Sequence, residues 1–556
     1  MGAPLDVASQ RQRLSRLFSS IISPDRRFYW LAFVYGLATA VLALAVPFSV
    51  QVLISTVSNT ALLRPVVVLA IVLFSLLLMY GLLYAVQSHL MDRFERRFFA
   101  RLSQTAVLRS LHARVIETPG LNREELANRF FEVVTVQRNV PKLVLDGTSV
   151  LLQSLVGIVV VAAYNPVFIV FSAVLLLIAW MIWRGWVDDA VTTKLAASRA
   201  KFKTARWIAE LGRVHGSFQS ERTIRYAAQQ TENLIAAYVG EHRGHFRFKL
   251  SQLCGYYGLY ALASAGLLGV GGWLVIRNQL TLGQLVAAEL IFAAVFTSLT
   301  RLPSLLDQYY ELCAAVDKLG ELLEAPQESK IQGEPLPAGP LGLHFDRVDT
   351  QWAGIGYQLD YALAAGAKIW VQDDDDDLRA AVLALVQRRH VADSGCLRIG
   401  SAHVDELDVH QLRDAVIVVD DAEPLEQSIA DNLSLGDESI TRSQMRDQLQ
   451  ALGLGHVLER LPEGLDTRLA RTGYPLSPED AIRLKIAIAL LARPRVLIVT
   501  PVLDRLSQRQ RQAVIDAVLA QPSLTFVLFT HRDDVQGLQG PETLGHPLDR
   551  RDGDAA

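Results

Sequence analysis

Ala367-Lys-Ile-Trp-Val-Gln-Asp-Asp-Asp-Asp-Asp-Leu-Arg-Ala-Ala-Val-Leu-Ala-Leu-Val-Gln-Arg-Arg389 holds three kinds of local structure in one short stretch. Ala367–Val371 is a short apolar run of the kind that forms a buried strand. Five carboxylates follow, and Leu378–Arg389 then reads as a helix. The alternation continues with a helix over Pro478–Ala492, an apolar strand over Val496–Thr500, a helix to Ala520 and a strand over Phe526–Phe529. Strands and helices in alternation specify an α/β domain on a largely parallel sheet.

Hydrophobic residues make up 51% of the 556-residue chain and charged residues 20%. The apolar surplus lies in the first 305 residues. Residues 1–325 hold 31 Lys+Arg against 21 Asp+Glu, and the remainder holds 23 against 36. A basic, apolar half is therefore joined to an acidic half. The acidic half has no basic patch with interleaved aromatics, which argues against nucleic acid as a partner. Cys254, Cys313 and Cys396 match no metal-ligand spacing and no disulfide framework, and all three read as core residues.

Six segments are apolar for long enough to cross a bilayer, which takes about 20 residues. They lie near 29–53, 62–88, 146–163, 166–185, 252–276 and 283–304, and predict an integral membrane protein with lipids as neighbours. Arg11, Arg13, Arg16, Arg26 and Arg27 precede the first span in a segment without a signal-peptide pattern. Loops 89–145 and 186–251 are basic, whereas the turns near 54–61, 164–165 and 277–282 contain only Arg277. This asymmetry places the N-terminus, both long loops and the C-terminal half in the cytoplasm. A bacterial inner membrane is the expected location.

The long loops read as helical extensions, with Ala196–Ala209 and Glu221–Tyr238 at helical spacing. Gly212 and Gly216 are expected to bound a short transverse helix at a loop tip. The sixth span continues as a helix over 305–325, and the Pro- and Gly-rich stretch 326–341 is a linker. The expected organisation is a cytoplasmic segment 1–28, a transmembrane domain 29–325, the linker, an α/β domain 342–540 and a polar tail 541–556.

Six spans, two long loops and a C-terminal α/β domain together resemble a half-transporter of the ATP-binding cassette (ABC) exporter type. Leu461-Pro-Glu-Gly-Leu-Asp-Thr467 is similar to the segment before the signature helix of such exporters. Leu484-Lys-Ile-Ala-Ile-Ala-Leu-Leu-Ala-Arg-Pro494 is similar to the helix and turn that follow it. Ser394-Gly395, Ile429-Ala-Asp-Asn432 and Thr530-His531-Arg532 fall at the family's spacings. The resemblance covers nearly the whole chain and rests on the order of these motifs. It implies an all-α six-helix transmembrane domain with long helical extensions, followed by an α/β nucleotide-binding domain.

In that family the loop after the strand binds phosphate through glycines, a lysine and a magnesium-holding hydroxyl. Here aspartates, among them Asp373, Asp376 and Asp377, fill the loop, Arg379 stands in the lysine place and Ala380 in the hydroxyl place. Asp420 replaces the Q-loop glutamine, and Thr500 and Pro501 replace the Walker B aspartate and the catalytic glutamate. Ser477, Pro478, Glu479 and Asp480 replace the signature. Trp352, at the adenine-stacking position, and His531, at the switch-histidine position, match in kind. They also read as a packing aromatic and a strand-end turn residue. Without a magnesium-holding carboxylate or a general base, phosphoryl transfer loses its electrostatic stabilisation and its water activation. No catalytic residue and no tightly bound cofactor are expected of this chain.

Ser477, with proline next and a carboxylate at the third helical position, makes a favourable helix start. Asp377 is expected to cap the helix beginning at Leu378. Carboxylates of the chain itself would then satisfy two helix N-termini that hold phosphate in the family. Drift of a solvated loop under no catalytic demand is the other reading. A metal site in the run is not expected, because consecutive carboxylates rarely converge on one ion and EF-hand spacing is absent. Each site of an ABC dimer pairs one chain's Walker motifs with the other's signature. The resemblance therefore implies ATP and Mg2+ at a partner-contributed site, in a heterodimer whose other subunit keeps intact motifs. The alternatives are an inactive membrane scaffold or regulator, and a weakly active ATPase using Arg379.

Glu289 lies inside the sixth span, where a carboxylate is a functional candidate by default. Tyr256, Tyr257 and Tyr260 are candidates for an aromatic cavity wall. Each of the four has a plain packing alternative. No peptidase-like domain is expected ahead of the first span, and peptides, lipids, drugs and proteins all stay open as cargo.

Overall fold

The membrane-length apolar segments are helical over their described residues, as a bilayer core demands of backbone that finds no water there. The computed structural model describes residues 7–59, 63–113, 128–328, 333–421, 423–542 and 545–547. Two compact units meet in sequence between Gln327 and Glu328. The first contains α1 (Val7–Ile22), α2 (Arg26–Leu42), α3 (Ala45–Asn59), α4 (Leu63–Leu111), α5 (Phe131–Ala162), α6 (Val167–Arg213), α7 (Glu221–Ile276) and α8 (Leu282–Leu323).

Among the described residues six helical stretches are long and apolar enough to cross a membrane. The chain is an integral membrane protein. The first stretch is not one helix: α2 gives way to α3 at Ala43–Leu44, because Pro47 has no N–H for the Ala43 carbonyl. The extensions are real helices. The 56 residues of α7 span about 84 Å at 1.5 Å per residue, against a hydrocarbon core of ~30 Å. At the tip between α6 and α7 the expected transverse helix is replaced by a single 3-10 turn, His215–Ser217. Only three residues separate that turn from α7, and Ser220 caps α7 by accepting from the Thr223 N–H, so the chain turns straight back.

The described part of the N-terminal segment, residues 7–28, is more than a charged stretch. Leu14, Leu17 and Ile21 of α1 are buried in a cluster with Phe94 and Phe98 of α4 and Leu312 of α8. Arg13 fixes the helix by donating to Asp317 at 2.9 Å and Glu324 at 2.7 Å. Of the three cysteines only Cys313 is buried; Cys254 is exposed and Cys396 half-buried, which corrects the core reading of the latter two.

The second unit has strands β1 (Leu343–Trp352), β2 (Ile355–Leu363), β3 (Lys368–Gln372), β4 (Ser394–Ile399), β5 (Ala402–His403), β6 (Val416–Val419), β7 (Val496–Val499), β8 (Thr525–Thr530), β9 (Gln539–Glu542) and β10 (Gly545–Pro547). Its helices are α9 (Asp376–Val386), α10 (Val409–Ala415), α11 (Ile429–Ser434), α12 (Arg442–Ala451), α13 (Gly455–Arg460), α14 (Pro478–Leu491) and α15 (Gln508–Leu519). One sheet runs β10-β2-β1-β4-β5 and is antiparallel, while the other runs β6-β7-β8-β3-β9 and is parallel. The parallel sheet is buried on both faces, as such sheets are. Val496 and Ile498 enter one hydrophobic cluster, and Leu497 and Val499 enter the other.

Candidate functional site

Parallel pairing of β3 with β8 sets Gln372 opposite Thr530, so the next residue of each strand, Asp373 and His531, emerge side by side. β7 flanks β8 in the register Val499↔Leu528 and delivers Thr500 and Pro501 to the same edge. The carboxyl ends of parallel strands are where α/β sheets form ligand crevices.

Asp373 is 3% exposed. Its N–H donates to the Thr530 carbonyl at 3.0 Å, and its own carbonyl accepts from Nδ1 of His531 at 2.5 Å. Its carboxylate pairs with Arg379, and Arg379 also donates to Asp376 at 2.7 Å. Burial pushes the Asp373 carboxyl above the usual carboxylate range, and the Arg379 guanidinium draws it back. The residue in the expected lysine position is thus turned onto the loop's own carboxylates. Ala380 adds only a methyl group beside it.

The cap of α9 is Asp375, not Asp377, and the helix starts two residues before the expected Leu378. A cap needs extended backbone while its side chain reaches the first free N–H groups. Asp375 meets this with φ −137° and ψ 103°, and Oδ1 accepts from Asp377 at 2.9 Å and Leu378 at 3.0 Å. Asp377 already lies within the first turn. Tyr357 of β2, fully buried, donates its hydroxyl to Asp375 at 3.2 Å. Burial and that carboxylate push the Tyr357 phenol up to about 12.

Pro501 opens a 3-10 turn, Pro501–Arg505, that brings Asp504 back to the end of β8. Asp504 accepts from the Thr530 hydroxyl at 2.5 Å and from the His531 N–H at 2.9 Å. At α14, Ser477 caps as expected by accepting from the Asp480 N–H at 3.1 Å. The carboxylate of Asp480 does not complete a capping box. It turns to buried Arg483, which also donates to the carbonyls of Leu452 at 3.1 Å and Gly453 at 2.9 Å. Glu479 is half-buried beside it. Asp420 follows β6, exposed, and its carbonyl accepts from Lys485 at 3.5 Å.

Asp373, Asp376, Arg379 and His531 therefore share one network. Trp352 ends β1 at a tight turn through Ala353 and Gly354, both at positive φ, and meets His390 edge-on at 5.6 Å. Sequence reasoning missed Asp504, Tyr357 and Asp375. The available signal for Asp504 was an acidic residue in the short turn after an apolar strand.

In the membrane unit Tyr256 is 2% exposed and lines an apolar cavity between α5, α6 and α8. Tyr257 is exposed, and Tyr260 meets Phe296 edge-on at 6.2 Å. Glu289 is exposed on α8 and is not part of that cavity's lining.

No family model matches the chain. The cyclolysin secretion/processing ATP-binding protein CyaB of Bordetella pertussis is 27% identical over 283 residues, 49% of this chain and 39% of that protein. The alpha-hemolysin translocation ATP-binding protein HlyB of Escherichia coli O157:H7 is 25% identical over 272 residues, 48% of this chain and 38% of that protein. The multidrug resistance-like ATP-binding protein MdlA of Escherichia coli K12 is 22% identical over 339 residues, 59% of this chain and 56% of that protein. These matches span 38% to 56% of the relatives' own lengths. A solved structure of a bacterial Atm1-family ABC exporter with ATP bound superposes with a TM-score of 0.78 at 15% identity, covering 91% of both chains. The chain has the fold of an ABC exporter half-transporter. The acidic loop, the Asp504 turn and the start of α14 all lie in the α/β unit of that fold.

Proposed function

We propose that this chain is a non-catalytic half of a heterodimeric ABC exporter in a bacterial inner membrane, with its nucleotide-binding domain and N-terminus in the cytoplasm. It supplies half of the translocation pathway. ATP is turned over by a partner subunit with intact motifs, at a site that binds ATP and Mg2+ through that partner's residues.

The observation that carries this reading is the closed loop at the end of β3. Arg379 is held by Asp373 and Asp376, and His531 by the Asp373 carbonyl. The residues present do not fit Mg-ATP. A buried carboxylate stands where phosphate would approach, Asp375 already occupies the first N–H groups of α9, and Ala380 offers no oxygen to magnesium. At the β7 end Thr500 and Pro501 bring no carboxylate. Asp504, the nearest acid in sequence, is committed to Thr530 and His531. At α14, Pro478 has no N–H to donate, and Ser477 has already capped the helix.

The test is to purify the full chain alone and together with its partner, and to measure magnesium-dependent binding of an ATP analogue and ATP turnover. The chain alone is expected to do neither. In the complex, replacing the partner's phosphate-loop lysine is expected to abolish turnover, while Arg379→Ala leaves it. Turnover by the chain alone, lost in Arg379→Ala or His531→Ala, would overturn the proposal and favour a weakly active ATPase.

A further inference from the structure

The ring of His245 on α7 is 2% exposed, and both of its nitrogens face acceptors. Nδ1 lies 3.1 Å from the carbonyl oxygen of Ala190 on α6. It is also 3.3 Å from the hydroxyl of Thr193, which donates its own proton to the Asp189 carbonyl at 2.7 Å. On the opposite side Nε2 lies 3.8 Å from Oδ1 of Asp307 on α8. That nitrogen is buried and has no hydrogen-bond partner. Tyr310 of α8 meets the ring edge-on at 5.9 Å, and its hydroxyl accepts from Gln252 at 2.7 Å. The remaining charges nearby converge on Asp307. Lys249 of α7 donates to Oδ2 at 2.8 Å, and Lys194 of α6 is within electrostatic reach of the same carboxylate. Oδ1 is thus left facing the imidazole.

Neither neutral form of the ring suits this setting. A neutral imidazole donates from one nitrogen and accepts at the other. With the proton on Nδ1, the Nε2 lone pair is buried against a carboxylate. With the proton on Nε2, the Nδ1 lone pair is turned on the Ala190 carbonyl. A buried acceptor left without a donor is unfavourable in either case. Imidazolium donates from both nitrogens and removes both conflicts. Burial opposes its charge, and the carboxylate beside it favours it.

We propose that His245 is a proton-binding site that clasps three helices just past the fourth, fifth and sixth spans. With the proton bound, the ring of α7 joins the Ala190 carbonyl of α6 to the Asp307 carboxylate of α8. As pH rises and the proton leaves, a lone pair faces that carboxylate and the clasp loosens, with only Lys249 still holding α7 to Asp307 at this point. The clasp involves the helical unit alone, so it stands or falls apart from the question of who turns over ATP.

The full chain, labelled with nitrogen-15 at histidine, is reconstituted in phosphatidylcholine vesicles, and its imidazole signals are followed by solid-state NMR as pH is raised. Of the 12 histidines, His245 is the one whose signals are missing from His245→Gln. Both of its nitrogens are expected to carry protons at low pH, and Nε2 to lose its proton in one step at higher pH. Asp307→Asn removes the carboxylate and is expected to move that step down by about one pH unit or more. Lys249→Gln removes the competing cation and is expected to move it up. Opposite shifts of this kind are not produced by a ring that only packs. A ring that is neutral throughout, or a step that neither variant moves, would sink the proposal. Thermal melts of the same chain give a second measure, independent of whether Asp307→Asn folds. The stability gap between wild type and His245→Gln is expected to be widest at low pH and to narrow as pH rises. A gap of constant size would mean packing alone and would refute the clasp.

Discussion

The hydroxyl of Tyr357 donates to the carboxylate of Asp375 at 3.2 Å, so a strand of one sheet holds the cap of the helix that follows β3 of the other. Asp375 thereby serves the N–H groups of Asp377 and Leu378 as well as a buried phenol. Asp375→Ala removes both functions at once. It is expected to lower stability by about 2 kcal/mol, the upper end for a lost cap. Asp375→Ser, which still caps, is expected to lose less in a thermal melt of the detergent-solubilised chain.

Tyr357 also predicts an alkaline limit. Its phenol is pushed up to about 12, above the ordinary value of about 10. The folded state therefore keeps the proton longer than the unfolded chain. The stability this contributes is complete below about pH 10 and is lost as pH rises through about 12. Tyr357→Phe should be less stable than wild type at pH 8, and the gap should narrow above pH 10 in denaturant titrations. A gap that stays constant with pH would rule this out.

Arg379 and Asp373 are expected to behave as a coupled pair. Arg379→Ala leaves the 3%-exposed Asp373 without its cation, at an expected cost of about 3 kcal/mol. Asp373→Ala costs less, because Arg379 keeps Asp376. The double variant should be more stable than the sum of the single losses implies, by more than about 0.5 kcal/mol. Additive losses would show that the two charges are not coupled.

In the membrane unit Gly157 permits close approach of α5 and α8. A Cβ there would come within 2.8 Å of Val295 Cγ2 and 3.2 Å of Ile291 Cγ2. Gly157→Leu is expected to cost about 1–3 kcal/mol by overpacking, or to lower the yield of folded protein in detergent. Gly81→Leu, on exposed α4 with nothing within 4 Å, is the matched control and should be tolerated.

Much of the architecture was legible because length and period are local properties. Apolar runs of bilayer length gave six spans, and the run Val496–Thr500 was rightly read as a buried strand, one residue longer than β7. Ser477 capped α14 as its side-chain chemistry requires. Other features depended on the path of the backbone in space. Five aspartates in a row are equivalent by composition, and only the backbone path after β3 made Asp375 the cap and sent Asp373 to Arg379. Asp480 could have closed a capping box, but Arg483 on the same helix, anchored to Leu452 and Gly453, offered it an opposite charge.

By itself the sequence determined that the chain spans a membrane six times and ends in an α/β domain, since burial and hydrogen-bond satisfaction impose those elements on apolar runs of this length and periodicity. The tertiary structure alone decided that α1 packs under Arg13 against α8. It also decided that Asp504 returns to β8, that Glu289 is exposed on α8, and that Arg379 turns onto the acidic loop. The reason is physical. A side chain's hydrogen-bond and charge partners are chosen by strand register, local backbone path and helix packing, which sequence spacing alone does not set.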